Sequence, residues 1–179
     1  MPNTLKCGSR LLLRRAAEAD IDFICALQEE ADNRDYIVPF SRDDHATIIA
    51  QAKAALDIIV EEREGGARVG YLHVGGLLLE SKEQEWTHVI IAKKGCGYGH
   101  EAMKLLKAWA FEDCGAHRAW LDCKDYNARA LHLYESEGMI REALIRETIL
   151  YRGAYENLVI LGILDREYHA RKRAGLEGA

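Results

Sequence analysis

Three glycines at alternate positions, Gly95, Gly97 and Gly99, are the feature that most constrains how this chain can fold. A β-branched run at residues 89–91 precedes them, and apolar residues at helical spacing follow over residues 101–114. Because glycine accepts positive φ and lets the backbone approach a ligand closely, this pattern predicts a strand, a tight loop and a helix. The first N–H groups of a helix lack internal partners and lie at the positive end of its dipole. The loop is therefore expected to bind an anion, most naturally a phosphate.

Three kinds of phosphate ligand can be weighed for this loop. A nucleoside triphosphate loop needs Lys-Ser or Lys-Thr after its glycines, and the sequence has neither at that place. Residues 97–102 fit the dinucleotide pattern Gly-x-Gly-x-x-Gly/Ala, and Asp122 follows about 20 residues later, where a ribose-binding acid is expected. That pattern normally opens a doubly wound domain, whereas about 90 residues precede it here. An NAD(P)-dependent oxidoreductase stays as the alternative to the third ligand, coenzyme A.

Two motifs connect the chain with a known family. Residues 94–99, Lys-Gly-Cys-Gly-Tyr-Gly, resemble the signature Arg/Gln-x-x-Gly-x-Gly/Ala of the GNAT superfamily of acyl-CoA N-acyltransferases, with Lys94 in place of Arg or Gln. Residues 127–139 resemble the family helix Asn-x-x-Ala-x-x-x-Tyr-x-x-x-Gly-Phe, with Met139 in place of Phe. The segment 146–168 is similar to the ending of members grouped with ribosomal-protein and polyamine acetyltransferases.

The resemblance implies a fold and a cosubstrate. The expected fold is α/β: one GNAT-like domain over residues 11–168, with a mixed, mostly antiparallel sheet that is flanked by helices and splayed at the acyl-CoA site. Residues 1–10 are expected to be an N-terminal extension and residues 169–179 a C-terminal tail. The cosubstrate is acetyl-CoA, no metal is expected, and transfer to a primary amine is direct, in a ternary complex. The residues expected to contact acetyl-CoA are Ile90, Ile91, Ala92, Lys94, Gly95, Cys96, Gly97, Tyr98, Gly99, His100 and Asn127.

Catalysis of acetyl transfer from a thioester to an amine needs a neutral amine, a site for the oxyanion and a proton for the departing thiolate. Tyr134 lies two turns after Asn127 on roughly one helical face, and the resemblance places it near the CoA sulfur as the acid. By the same analogy Glu85 is the base, and the N–H groups near Ile90 and Ile91 bind the oxyanion. Strand alternation puts His88 on the opposite face from Glu85, where it competes as base together with water.

Length, composition and charge exclude several classes of protein. With 179 residues, 49% hydrophobic and 30% charged, the chain is long enough for one core and too short for two typical domains. A net charge of −5 argues against general nucleic-acid binding. The sequence has no apolar run of membrane-spanning length and no secretory leader, so a cytoplasmic protein is expected. Its five cysteines follow no metal-ligand spacing and are interpreted as reduced thiols.

The acceptor is the least determined part of the function. An acidic and aromatic stretch at residues 29–36 would suit a cationic amine. Polyamine, protein N-terminus, amino sugar and amino acid all stay open as acceptors, and so do a longer acyl donor, a homodimer and a non-catalytic acyl-CoA-binding module.

The order of elements follows from periodicity and capping residues. Strands are expected at residues 11–14, 56–61, 69–74, 85–92, 118–123, 139–151 and 157–164, and helices from Asp20 as N-cap, over 44–54, over 101–114 and from Asn127.

Overall fold

Eight strands form one sheet in a computed structural model that describes residues 3–178. The spatial order is β1-β2-β3-β4-β5-β6-β8-β7, and every neighbouring pair is antiparallel except β5 with β6. The strands are β1 (Thr4–Cys7), β2 (Leu11–Arg15), β3 (Leu56–Glu62), β4 (Arg68–Gly75), β5 (Glu83–Ile91), β6 (Arg118–Lys124), β7 (Ile140–Tyr151) and β8 (Ala154–Leu164).

Helices cover both faces of this sheet. The helices are α1 (Ile21–Glu29), α2 (Ala31–Arg34), α3 (Arg42–Gln51), α4 (Tyr98–Ala108), α5 (Ala128–Ser136) and α6 (Asp165–Arg173), and a π-helical turn continues α4 over Trp109–Asp113. Apolar residues at helical spacing on α4, including Ala102, Leu105 and Leu106, pack into the larger core. The smaller core lies on the opposite face, where Ile24 and Leu27 of α1 pack on the sheet. The α/β architecture is the one that the sequence predicted.

The parallel strands β5 and β6 stay together for only three residue pairs, Glu83 to Glu85 with Arg118 to Trp120. Beyond these pairs β5 keeps its antiparallel partner β4, and β6 keeps β8, so the sheet opens into a fork between them. The splayed sheet expected from the sequence is confirmed. With a single parallel pair, the sheet is not the doubly wound one that the dinucleotide alternative requires, so that alternative is wrong about the fold.

Several predicted boundaries differ from the structure. α4 begins at Tyr98, three residues before the predicted start, because the glycine loop supplies its first turn. α3 begins at Arg42 behind Ser41, whose hydroxyl accepts the Asp44 N–H, and it ends where Ala52 takes a φ of 42°. The sequence assigned no element to residues 1–10, where β1 pairs with β2, or to the region of α6. Within residues 3–178, no helix is long and apolar enough to cross a membrane.

Candidate active site

The fork between β5 and β6 opens into a cavity of about 540 Å³. Seven parts of the chain line it: α2 with the segment after it, β5, the glycine loop with the start of α4, β6, α5 with its N-cap, β7 and β8. The wall residues lie within 32–40, 87–91, 93–100, 122–124 and 127–134, with Ile149 from β7 and Leu158 from β8. Past Glu85, the edge of β5 that faces β6 has no strand partner among the residues described, so backbone N–H and C=O groups on it are free to bind an extended ligand.

The glycine loop presents unpaired backbone amides to the cavity. Gly97, the N-cap of α4, has a φ of 81°, and Gly95 has a φ of 78°. The first helical bond is donated by the Glu101 N–H to the Gly97 carbonyl at 3.2 Å, so the amides before Glu101 are left for a ligand. A Cβ on Gly99 would lie 3.2 Å from Leu133 Cδ2 on α5, so the loop packs closely against α5 at this glycine.

Lys94, which stands where the family has Arg or Gln, has two polar partners on α2. Lys94 Nζ donates to Asn33 Oδ1 at 3.0 Å and lies 3.3 Å from Asp32 Oδ2, so it ties the glycine loop to α2. Lys93 Nζ instead reaches Glu62 Oε1 at 3.0 Å on the other side of the loop. Both cations belong to residues that line the cavity, where a phosphate would be attracted to them.

Helix α5 brings the second motif to the same cavity. Asn127 Oδ1 accepts the Ala130 N–H at 3.2 Å, which confirms the predicted cap. Tyr134 is buried and lines the cavity, and within residues 3–178 its hydroxyl has no hydrogen-bond partner. Burial, with the nearby Cys123 and Asp122 adding to it, raises the pKa of Tyr134 well above its usual value. The phenol therefore keeps its proton across the physiological range.

Most of the residues predicted from the sequence meet at this cavity. Those that line it are Ile90, Ile91, Lys94, Gly95, Gly97, Tyr98, Gly99, His100, Asn127 and Tyr134. Ala92, Cys96 and Glu85 are not part of the lining. His100 Nδ1 is 2.9 Å from Glu137 Oε1, so this side chain is bound to the turn after α5.

The predicted alternation of side chains along β5 is wrong at its centre. Trp86 packs in the larger core on the α4 face, whereas the His88 ring lies 4.7 Å from the Phe40 ring on the opposite face. The pairing register of β4 with β5 shifts between His73 and Gly75, and a shift of one residue reverses the faces that follow. Strict alternation would put Trp86 and His88 on the same face of β5. They lie on opposite faces.

His88 lines the cavity and belongs to a buried polar cluster. Its Nε2 is 3.0 Å from the Val38 carbonyl, to which it donates, so Nδ1 carries the lone pair and has no partner among the described residues. Burial lowers the pKa of His88 to about 4. Across from it, Asp57 accepts from the Nδ1 atoms of His45 and His73 at 2.7 and 2.8 Å. The imidazole of His88 is therefore neutral at physiological pH.

The sequence analysis missed part of the wall. The segment 36–40 approaches the cavity only through tertiary packing and carries no motif. Arg129 could have been found, since it lies in the first turn of the helix that Asn127 caps. Asp122 was noted only as a ribose-binding acid, whereas it lines the fork itself. No group of three or more His, Cys, Asp and Glu side chains that could hold a metal ion occurs within residues 3–178.

Comparisons with known proteins agree with this geometry. Residues 10–140 match the family model of the acetyltransferase (GNAT) domain. Among solved structures, the chain is similar to the spermidine N-acetyltransferase of Vibrio cholerae in complex with CoA and spermine, with 23% identity, a TM-score of 0.81 and coverage of 90% of this chain and 99% of that one. A chimera of the Vibrio cholerae enzyme SpeG with hSSAT gives the same identity and TM-score, with coverage of 91% and 100%.

Proposed function

Since the chain belongs to the GNAT acetyltransferase family, whose cosubstrate is acetyl-CoA, we propose that it transfers the acetyl group directly to a primary amine within a ternary complex. One observation carries the proposal: the glycine loop, the open edge of β5 and the phenol of Tyr134 all line a single cavity. The cavity thus offers binding groups for the phosphates, the pantetheine arm and the thioester of coenzyme A.

The binding of acetyl-CoA follows from backbone groups more than from side chains. The amides at the start of α4 bind the pyrophosphate, helped by Lys94 and Arg129 at the cavity wall. The pantetheine arm runs along the unpaired edge of β5 past Ile91 and Ile90, whose N–H groups lie near the thioester oxygen in this arrangement. Asn127 supports the arm from α5.

The chemistry has two steps. The lone pair of the acceptor nitrogen attacks the thioester carbonyl carbon, and the carbonyl oxygen gains the negative charge that backbone N–H groups stabilise. The carbon–sulfur bond then breaks, and the thiolate takes the proton of Tyr134, whose raised pKa keeps that proton available. The proton lost by the nitrogen passes to Glu85, directly or through water, since Glu85 lies close enough to Asp122 to raise the pKa of that carboxyl.

A cationic amine is the acceptor that we propose, with polyamines as the first class to test. Asp32 and Asp122 line the cavity, and the acidic segment that begins at Glu29 leads into its wall. The Vibrio cholerae enzyme that shares this fold was solved with spermine, which is such an amine.

The experiment is turnover with a panel of amines, read as release of the CoA thiol from acetyl-CoA. Spermidine, an amino sugar, an amino acid amide and a peptide with a free N-terminus make up the panel. We expect thiol release that depends on both substrates, with saturation by the polyamine. Acetyl-CoA binding without turnover of any amine would instead identify a non-catalytic acyl-CoA-binding module.

We also propose a homodimer in the cytoplasm. β7 is an edge strand, and its side chains Leu144, Ile145 and Leu150 are 55%, 42% and 63% exposed, which is unusual for an edge without a partner. All five cysteines are free thiols, in keeping with a reducing compartment. Light scattering on the eluting protein measures the assembly, and a monomer at micromolar concentration would contradict the dimer.

A further inference from the structure

Asp122 occupies the point where β5 and β6 part. It lies two residues beyond Trp120, the last β6 residue that pairs with β5. Its neighbours Leu121 and Cys123 are buried in the larger core, so the Asp122 side chain stands on the opposite face of β6, where it lines the cavity. The fold thus places a carboxylate at the inner end of the fork.

This carboxylate is the uncompensated charge of the cavity wall. Two carboxylates line the cavity, and the other one, Asp32, lies 3.3 Å from Lys94 Nζ. Within residues 3–178, no Lys, Arg or His nitrogen comes within 4.0 Å of the Asp122 carboxylate. A carboxylate without a counter-charge is expected to bind a cation that enters the cavity.

The surroundings of Asp122 make a nearby cation more favourable. Partial desolvation in the cavity wall, and then the negative charge of Glu85, raise the pKa of Asp122. Both effects make the ionised carboxylate unfavourable as long as nothing positive lies beside it. An ammonium group beside Asp122 in the fork would remove this cost.

Position and hydrogen-bond capacity also match an acceptor nitrogen. Asp122 lines the same cavity as Tyr134, the phenol that serves the departing thiolate. On β5, His88 lines the same cavity, and its Nδ1 is buried, neutral and without a partner among the residues described. An ammonium group has three N–H donors, which a carboxylate and an imidazole nitrogen on the two strands can share.

We infer that Asp122 binds the protonated nitrogen of the amine acceptor, with His88 Nδ1 as a second hydrogen-bond acceptor. The inference rests on the proposed function and restricts its acceptor to amines that arrive as cations. The bound ammonium first loses one proton to solvent, and the freed lone pair then attacks the thioester carbon. The second proton, which the nitrogen loses as the amide forms, passes to Glu85. Asp122 itself keeps its charge throughout and holds the nitrogen in place.

The first test replaces the charge and keeps the shape, with the variant Asp122→Asn. Glu80→Gln is the matched control, because it removes the same charge from an exposed residue outside the cavity. For spermidine we expect the KM of Asp122→Asn to rise by about 10-fold to 100-fold, the range usual for losing a hydrogen bond to a charged group. The Kd of acetyl-CoA stays within about twofold, and Glu80→Gln behaves as the parent protein.

A second measurement separates binding from a structural role. Because Asp122 is exposed and has no ion-pair partner among residues 3–178, the Tm of Asp122→Asn at pH 7 should stay within about 2 °C of the parent value, whereas loss of a structural carboxylate would lower it further. Calorimetric titration of the CoA-loaded protein with spermidine tests the inference even without turnover, and Asn must weaken that binding by at least about 10-fold.

The outcomes distinguish this inference from the proposed function. Unchanged KM and unchanged spermidine binding in Asp122→Asn would overturn the inference and leave acetyl transfer by the parent protein intact. An equal effect in Glu80→Gln would also overturn it, since the cause would then be net charge. Failure of the parent protein to acetylate any amine would contradict the proposed function, whatever Asp122 binds.

Discussion

Tyr134 is the side chain on which the proposed chemistry depends most. Tyr134→Phe keeps the buried ring and removes the proton, so we expect kcat to fall by about 10-fold to 1,000-fold, the usual effect of losing a positioned acid. A thiolate is already a fairly stable leaving group, which favours the smaller effects. The hydroxyl has no partner within residues 3–178, so its removal leaves no protein group unpaired, and the Kd of acetyl-CoA and the Tm should change little.

The measurement is steady-state kcat at saturating acetyl-CoA and amine, under conditions where chemistry limits the rate. Tyr155→Phe is the control, because Tyr155 is 67% exposed on β8 and lies outside the cavity wall. Full kcat in Tyr134→Phe would make Tyr134 a packing residue and leave solvent to protonate the thiolate.

The glycine loop and α4 act together as one binding element. At Gly97, with a φ of 81°, a valine side chain is strained and also covers the amides at the helix start. Gly115, with a φ of 63° and open space around it, lies after the other end of this helical segment. Valine at either position costs at least about 1–2 kcal/mol of folding free energy, because both backbones are left-handed. The two valine variants are therefore matched in backbone strain, and they differ in how far the substituted residue lies from the ligand.

We expect Gly97→Val to weaken acetyl-CoA binding by at least about 10-fold and Gly115→Val to leave it unchanged, as measured by calorimetry on the folded variants. Equal affinity in the two proteins would show that the loop amides do not bind the pyrophosphate.

The stability of the molecule as a whole is expected to depend on pH through its buried histidine cluster. Burial lowers the pKa of His88 from 6.5 to about 4. Between pH 6.5 and pH 4, His88 is protonated in the unfolded chain and neutral in the folded chain. The free energy of unfolding therefore decreases as the pH falls from 6.5 to 4. A shift of this size corresponds to about 3 kcal/mol. Above pH 6.5 the contribution of His88 is constant, since the residue is neutral in both states.

Urea unfolding between pH 7.5 and 4 measures this dependence, and the slope against pH is the quantity to compare. We expect a shallower slope in His88→Gln than in the parent protein, and an unchanged slope in His117→Gln, because His117 is exposed. Identical slopes in all three would mean that His88 is protonated in the folded chain. Asp57 does not interfere, because the hydrogen bonds of His45 and His73 outweigh burial and lower its pKa below 3.8, outside this range.

The local sequence was sufficient to predict a structural feature wherever the contacts that determine it join residues close in the chain. The glycines predicted the loop because positive φ at Gly97 is a property of the residue itself, and Asn127 predicted a cap because its partner is three residues away. Apolar periodicity gave most strands and the class of the fold for the same reason. Start points such as Tyr98 were missed because a loop of glycines can also serve as the first turn of a helix.

The composition of the cavity was decided only by tertiary structure. The faces of Trp86 and His88 depend on a register shift between β4 and β5, which no pattern within β5 records. Asp122 becomes an uncompensated carboxylate in the cavity because β5 and β6 separate beside it. The sequence determined which local structures form, since short-range sterics and hydrogen bonds fix them. The tertiary structure alone decided which charges meet, because that depends on how distant strands pair and where they part.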